Sequence, residues 1–177
     1  MIRQEIFDFK KEEKLDWNNF IEGDENREAL LYLTQWPHWT TNGLLITGQH
    51  GVGKTHLAAL WAQSANAVYL LKDSLRYDPR DLFENDCNFV LDDAQNFLID
   101  QHWLFDFYNV AKEKNRFFLM LDTLPASMWN ISLKDLSSRL SLVPVINIKN
   151  YDNDLLKKIT KKIMNDWGIS IPDNVID

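Results

Sequence analysis

Gly48, Gly51, Gly53, Lys54 and Thr55 stand in one run, Gly-Gln-His-Gly-Val-Gly-Lys-Thr from 48 to 55, whose residue types suit a polyphosphate. Glycines let backbone N–H groups close around phosphate oxygens where side chains would collide, and a helix starting at Lys54 adds the positive end of its dipole. The Lys54 ammonium suits the β- and γ-phosphates of a nucleoside triphosphate, and the Thr55 hydroxyl suits Mg²⁺. Val52 and His56 are expected to line the same ligand. An apolar run before the loop, Leu44 to Thr47, predicts a strand, and Lys54 to Ser64 predicts a helix. That strand–loop–helix context is what the Walker A pattern requires.

A second constellation is acidic. Phe89 to Leu91 is an apolar run closed by Asp92 and Asp93. A carboxylate at the end of a buried strand can hold Mg²⁺ through water, the part expected of Asp92. Its neighbour Asp93 can orient or deprotonate an attacking water. Paired acids are common at strand ends, so the pair gains meaning from its place about 35 residues beyond the glycine loop, where a Walker B belongs.

The elements that must position these groups follow from periodicity. Helices are expected over about 26–36, where Ala29, Leu30 and Leu33 recur at helical spacing, and over 100–114, where Leu104, Phe107, Tyr108 and Ala111 share a face. Further strands are expected at Ala67–Leu71, Phe89–Leu91, Phe117–Leu121 and Val143–Ile148, with 73–86 polar and irregular between them. The strands are continuously apolar and alternate with helices, which predicts an α/β fold with a parallel five-stranded sheet covered on both faces. After Asn150, Leu155, Leu156, Ile159, Ile163 and Trp167 form a helical stripe opposite Lys157, Lys158, Lys161 and Lys162. That basic face reads as a solvated helix side rather than a DNA contact.

Composition bounds the function. The chain has 177 residues, 45% hydrophobic, with a formal charge of −7. An acidic balance argues against autonomous grip on nucleic-acid phosphates, so no sequence-specific DNA binding is expected. The lone cysteine, Cys87, forms no internal disulfide and suits a reducing cytoplasm. No run approaches the roughly 18 apolar residues of a membrane helix, and Met1 to Lys14 shows no signal-peptide core.

The run Gly-Lys-Thr-His-Leu at 53–57, the run Asp-Asp-Ala-Gln at 92–95 and the segment Trp17 to Ala29 together resemble the bacterial replication-initiator family DnaA, a branch of the AAA+ P-loop NTPases. The resemblance implies a bound ATP or ADP with Mg²⁺. It makes Phe20-Ile21-Glu22-Gly23-Asp24-Glu25-Asn26-Arg27-Glu28-Ala29 an adenine-site box in which Phe20 and Ile21 touch the base, although both would also serve as ordinary core at the start of a helix. It places a sensor 1 residue at Asp122 or Thr123, with Thr123 taken as the site residue. In Asp135 to Leu140 it makes Arg139 an arginine finger directed at a neighbouring subunit's γ-phosphate.

Within that family the resemblance is to the regulatory inactivators of the initiator, the Hda type, which carry the ATPase core without a basic helix-turn-helix domain. Gln4-Glu5-Ile6-Phe7-Asp8-Phe9 fits the hexapeptide by which such proteins bind the replicative sliding clamp, the DNA polymerase β subunit. Gln4 would fix the register, and Phe7 and Phe9 would fill apolar pockets. The expected organisation is therefore a flexible arm over 1–16, an AAA+ domain over 17–150 and a truncated helical lid over 151–177. No arginine follows Arg139, so the resemblance offers no sensor 2 arginine and leaves the chain's own ATP hydrolysis weak at most. Expected partners are DnaA and the sliding clamp; self-association stays open. Two other readings also stay open: a non-hydrolysing adaptor that bridges replication proteins, and an ATPase similar to the initiator or a helicase loader.

Overall fold

Every apolar run expected to be a strand becomes one. The computed structural model describes Trp17 and residues 20–166. In it β1 is Gly43–Thr47, β2 Ala67–Leu70, β3 Asn88–Leu91, β4 Phe118–Asp122 and β5 Val145–Asn147. They form one five-stranded sheet in the order β2-β3-β4-β1-β5, and every neighbouring pair is parallel. The helices are α1 Arg27–Thr34, α2 Lys54–Ala65, α3 Pro79–Leu82, α4 Gln101–Glu113, α5 Lys134–Leu140 and α6 Asn153–Asp166. The expected α/β architecture is the observed one.

The central strands β1, β3 and β4 are buried throughout because both faces of the sheet are covered there, whereas the edge strand β5 exposes Val145 and Asn147. Leu44, Ile46, Val90, Leu119, Leu121 and Ile146 pack with α1 and α2 on one face. Leu45, Leu70, Phe89, Leu91, Phe118 and Met120 pack on the other with α4 and α5. Phe107 of α4 anchors this second layer, ringed by Phe83, Phe89, Trp103 and Phe118.

Two of the differences from expectation have local reasons. The polar stretch 73–86 is not irregular throughout. It holds a 3₁₀ turn, Lys72–Arg76, and the short helix α3, where Asp78 caps the Arg80 amide and Pro79 takes the first helical position. Phe117 lies outside β4 because its N–H goes to the Asn88 side chain at 2.8 Å. Parallel order places the ends of β1, β3 and β4 side by side, and in parallel α/β sheets that edge is where ligands bind.

Candidate functional site

The loop from Gly48 to Gly53 leaves the tip of β1 and hands over to α2. Gly51 and Gly53 both sit at φ +83°, a left-handed conformation that L side chains adopt only with strain. The turn therefore depends on glycine there. Among the described residues, no acceptor takes the backbone N–H of Gly51, Val52, Gly53, Lys54, Thr55 or His56; the first helical bond runs from Leu57 N to Gly53 O. Six consecutive unpartnered amides at a helix N-terminus form an anion cradle.

Lys54 is 8% exposed and donates from Nζ to the carbonyls of Gly48 at 2.7 Å and Gln49 at 2.9 Å. Burial pushes its pKa below the ordinary lysine value, while the carboxylates of Asp92, Asp122 and Asp93 oppose that shift. The ammonium thus hangs in the mouth of the loop on two neutral acceptors, which a phosphate oxygen would outcompete as a charged one.

Thr55 Oγ1 donates to Asp92 Oδ2 at 3.1 Å, and the other carboxylate oxygen accepts the Asp93 N–H at 3.0 Å. The backbone of Asp93 turns left-handed at φ 51°, and its side chain is exposed beside the cleft. The cleft holds about 350 Å³ and is lined by His50, Gly51, Gly53, Lys54, Thr55, His56, Asp92 and Asp93. Two hard oxygen donors, Thr55 and Asp92, meet at its floor. Mg²⁺ fits such a pair, because it takes only one or two protein oxygens and fills its octahedron with water and phosphate.

Of the two sensor 1 candidates, Asp122 is buried at 5% exposure and Thr123 is exposed. Asp122 Oδ2 accepts the Gln95 N–H at 2.9 Å, and Oδ1 accepts the Thr123 N–H at 2.7 Å. The aspartate therefore braces the turn after Walker B and adds to the field around Lys54, while Thr123 lies at the rim.

Phe20 meets His56 edge to face, with ring centroids 5.5 Å apart, so the segment 20–26 lies against the first turn of α2. Asn26, 1% exposed, shapes that segment: its Nδ2 donates to Ile21 O at 3.1 Å and its Oδ1 accepts the Gly23 N–H at 3.0 Å. Lys149 N donates to Glu25 O, which joins the segment to the chain leaving β5.

Arg139 does not join this cleft. It sits half-buried in the last turn of α5, whose Leu136 and Leu140 pack on the opposite sheet face from α2, and it makes no ion pair among the described residues. Gln4, Phe7 and Phe9 of the hexapeptide lie outside the described residues. Two contributors escape sequence reading. Asn26 stands inside the box but signals no role by type alone. Tyr151, whose hydroxyl donates to the Val52 carbonyl, belongs to no motif and lies 99 residues from the loop it touches.

Comparison with known proteins places this geometry. The family model of the bacterial DnaA ATPase domain matches residues 11–146. The chromosomal replication initiator protein DnaA of Streptococcus uberis is 25% identical, over 93% of this chain and 42% of that protein. Among solved structures, AMPPCP-bound DnaA from Aquifex aeolicus superposes with a TM-score of 0.75 at 22% identity, covering 93% of this chain and 59% of that one. Domain III of the Thermotoga maritima replication initiation protein DnaA does so at 0.71 and 21%, covering 92% and 78%. These structures share the fold; the chain spans less than half the length of the curated relative it matches.

Proposed function

This chain belongs to the bacterial DnaA ATPase-domain family, and on that premise we propose that it binds ATP or ADP with Mg²⁺ and regulates initiation of chromosomal replication. One observation carries the nucleotide part. The open amides of Gly51 to His56, the Lys54 ammonium and the Thr55–Asp92 pair converge on a single cleft at the tip of the sheet. In this reading Gly48 to Thr55 hold the phosphates, Thr55 and Asp92 hold the metal, and Val52, His56, Phe20 and Ile21 border the base and ribose. Bound Mg²⁺ would offset phosphate charge, and Asp93 would orient water. Asp122 takes the sensor position by its burial beside Lys54, with Thr123 at the rim.

The finer proposal is a regulator of the Hda type. The hexapeptide Gln4 to Phe9 docks on the sliding clamp, and Arg139 is offered to ATP held by the initiator DnaA. Arg139 is absent from the cleft lining, and its helix α5 packs on the sheet face opposite α2, which supports action on a neighbouring molecule. The test is the rate of hydrolysis of initiator-bound ATP with this protein and DNA-loaded clamp. The wild-type chain accelerates it, and Arg139→Ala loses the acceleration by about tenfold or more, as expected of a charge-neutralising arginine. Undiminished stimulation by that variant excludes the finger. A non-hydrolysing adaptor is the second reading, favoured by α6, which carries four lysines and no arginine to complete a cis site. Nucleotide binding without any effect on initiator turnover would select it.

A further inference from the structure

The P-loop peptide between Val52 and Gly53 is held from behind. The Tyr151 hydroxyl donates to Val52 O, and among the described residues that carbonyl has no other partner, because α2 begins only with Leu57 N on Gly53 O. A Cβ at Gly53 would lie 2.5 Å from the Tyr151 oxygen, so the contact also needs glycine at 53. Tyr151 is absent from the cleft lining, whereas Gly51, Gly53, Lys54 and Thr55 form it. The hydroxyl thus holds the loop backbone at Val52, directly before Gly53 of the cleft lining.

A trans peptide unit points its C=O and its N–H in opposite directions. Fixing the Val52 carbonyl toward Tyr151 therefore points the Gly53 N–H away from Tyr151, and Gly53 itself lines the cleft. Without that anchor the plane can turn about Val52 ψ and Gly53 φ, and Gly53, at φ +83°, is conformationally permissive. We infer that Tyr151 is a positioning residue of the phosphate cradle, holding the Gly53 amide aimed at a bound nucleotide's β-phosphate. Gly53 directly precedes Lys54, which addresses the β- and γ-phosphates, so the amide belongs to that end of the ligand. Burial pushes the Tyr151 hydroxyl above its ordinary range, with the Asn26 side chain opposing, and a phenol is protonated at neutral pH even without that shift. The inference rests on the nucleotide-binding reading and adds to it a residue outside every motif.

Tyr151→Phe removes one oxygen and keeps the ring that packs beside Gly53. Binding of ADP and of AMP, each with Mg²⁺, is measured by calorimetry on the full chain, together with the melting temperature of the unliganded protein. The expected result is ADP affinity lowered about tenfold, the scale of one well-placed hydrogen bond, with AMP affinity unchanged. The preference for ADP over AMP then shrinks by that factor. Equal losses for both ligands would reduce Tyr151 to a packing residue and overturn the inference, as would no loss for either. A lower melting temperature with an intact ADP preference overturns it too. If the wild-type chain binds no ADP, the nucleotide reading fails and this inference with it; if the wild type binds and the variant matches it, only the inference fails.

Discussion

Thr55 and Asp92 are 37 residues apart in the chain and joined by a 3.1 Å hydrogen bond from hydroxyl to carboxylate. One stands on the first turn of α2 and the other just past β3. Neighbouring β4 sets their spacing, because it lies between β1, which feeds α2, and β3. A Mg²⁺ ion bridging nucleotide phosphates would find both oxygens already together.

Asp92→Asn keeps the shape and removes the charge. Mg²⁺ then no longer strengthens nucleotide binding, a loss of about tenfold in the ratio of affinities with and without the ion. Titration of a labelled nucleotide with Mg²⁺ and with a chelator measures it. An unchanged ratio would remove Asp92 from the metal site.

Lys54→Ala should lower ADP affinity about 10- to 100-fold, the range for hydrogen bonds to a charged partner. The fold should survive, since the ammonium bonds only loop carbonyls and its burial already disfavours the charge. Calorimetry reads the first outcome and thermal unfolding the second. Native affinity in the variant would end the assignment of this loop.

Asn88 stitches three elements at the start of β3. Its Nδ2 donates to Ala65 O at 2.6 Å, and its Oδ1 accepts from Phe117 N at 2.8 Å. Asn88→Ala strands two buried backbone groups and should destabilise the domain by about 2–4 kcal/mol. Urea unfolding checks this; a change under about 0.5 kcal/mol would mean water satisfies both groups equally well.

The Cys87 thiol is buried, and desolvation pushes its pKa above the ordinary value, with the Arg116 charge opposing. At pH 8 it stays protonated in the folded chain and reacts with a disulfide reagent only on unfolding. Fast stoichiometric labelling of native protein at that pH contradicts the burial.

Deleting residues 1–10 removes Gln4, Phe7 and Phe9. Binding to immobilised sliding clamp should vanish while ADP affinity stays within about twofold, well under the 1.4 kcal/mol of a tenfold change. Retained clamp binding would discard the hexapeptide.

The sequence by itself determined the fold class and the chemistry of the loop. Continuous apolar strands alternating with helices require a sheet buried on both faces, and Gly-x-x-Gly-x-Gly-Lys-Thr leaves few uses for a strand–helix junction. Spacing along the chain also placed Asp92 correctly at a strand end. Tertiary structure alone shows that Asp122 is buried, accepting the Gln95 N–H, while Thr123 beside it is exposed. It alone put α5, which carries Arg139, on the sheet face opposite α2, through the packing of Leu136 and Leu140. It alone brought Tyr151 to Val52, since β5 lies beside β1 and returns the chain to the loop. Local periodicity records what a residue buries; which distant backbone it meets is set by strand order, and no single segment encodes that.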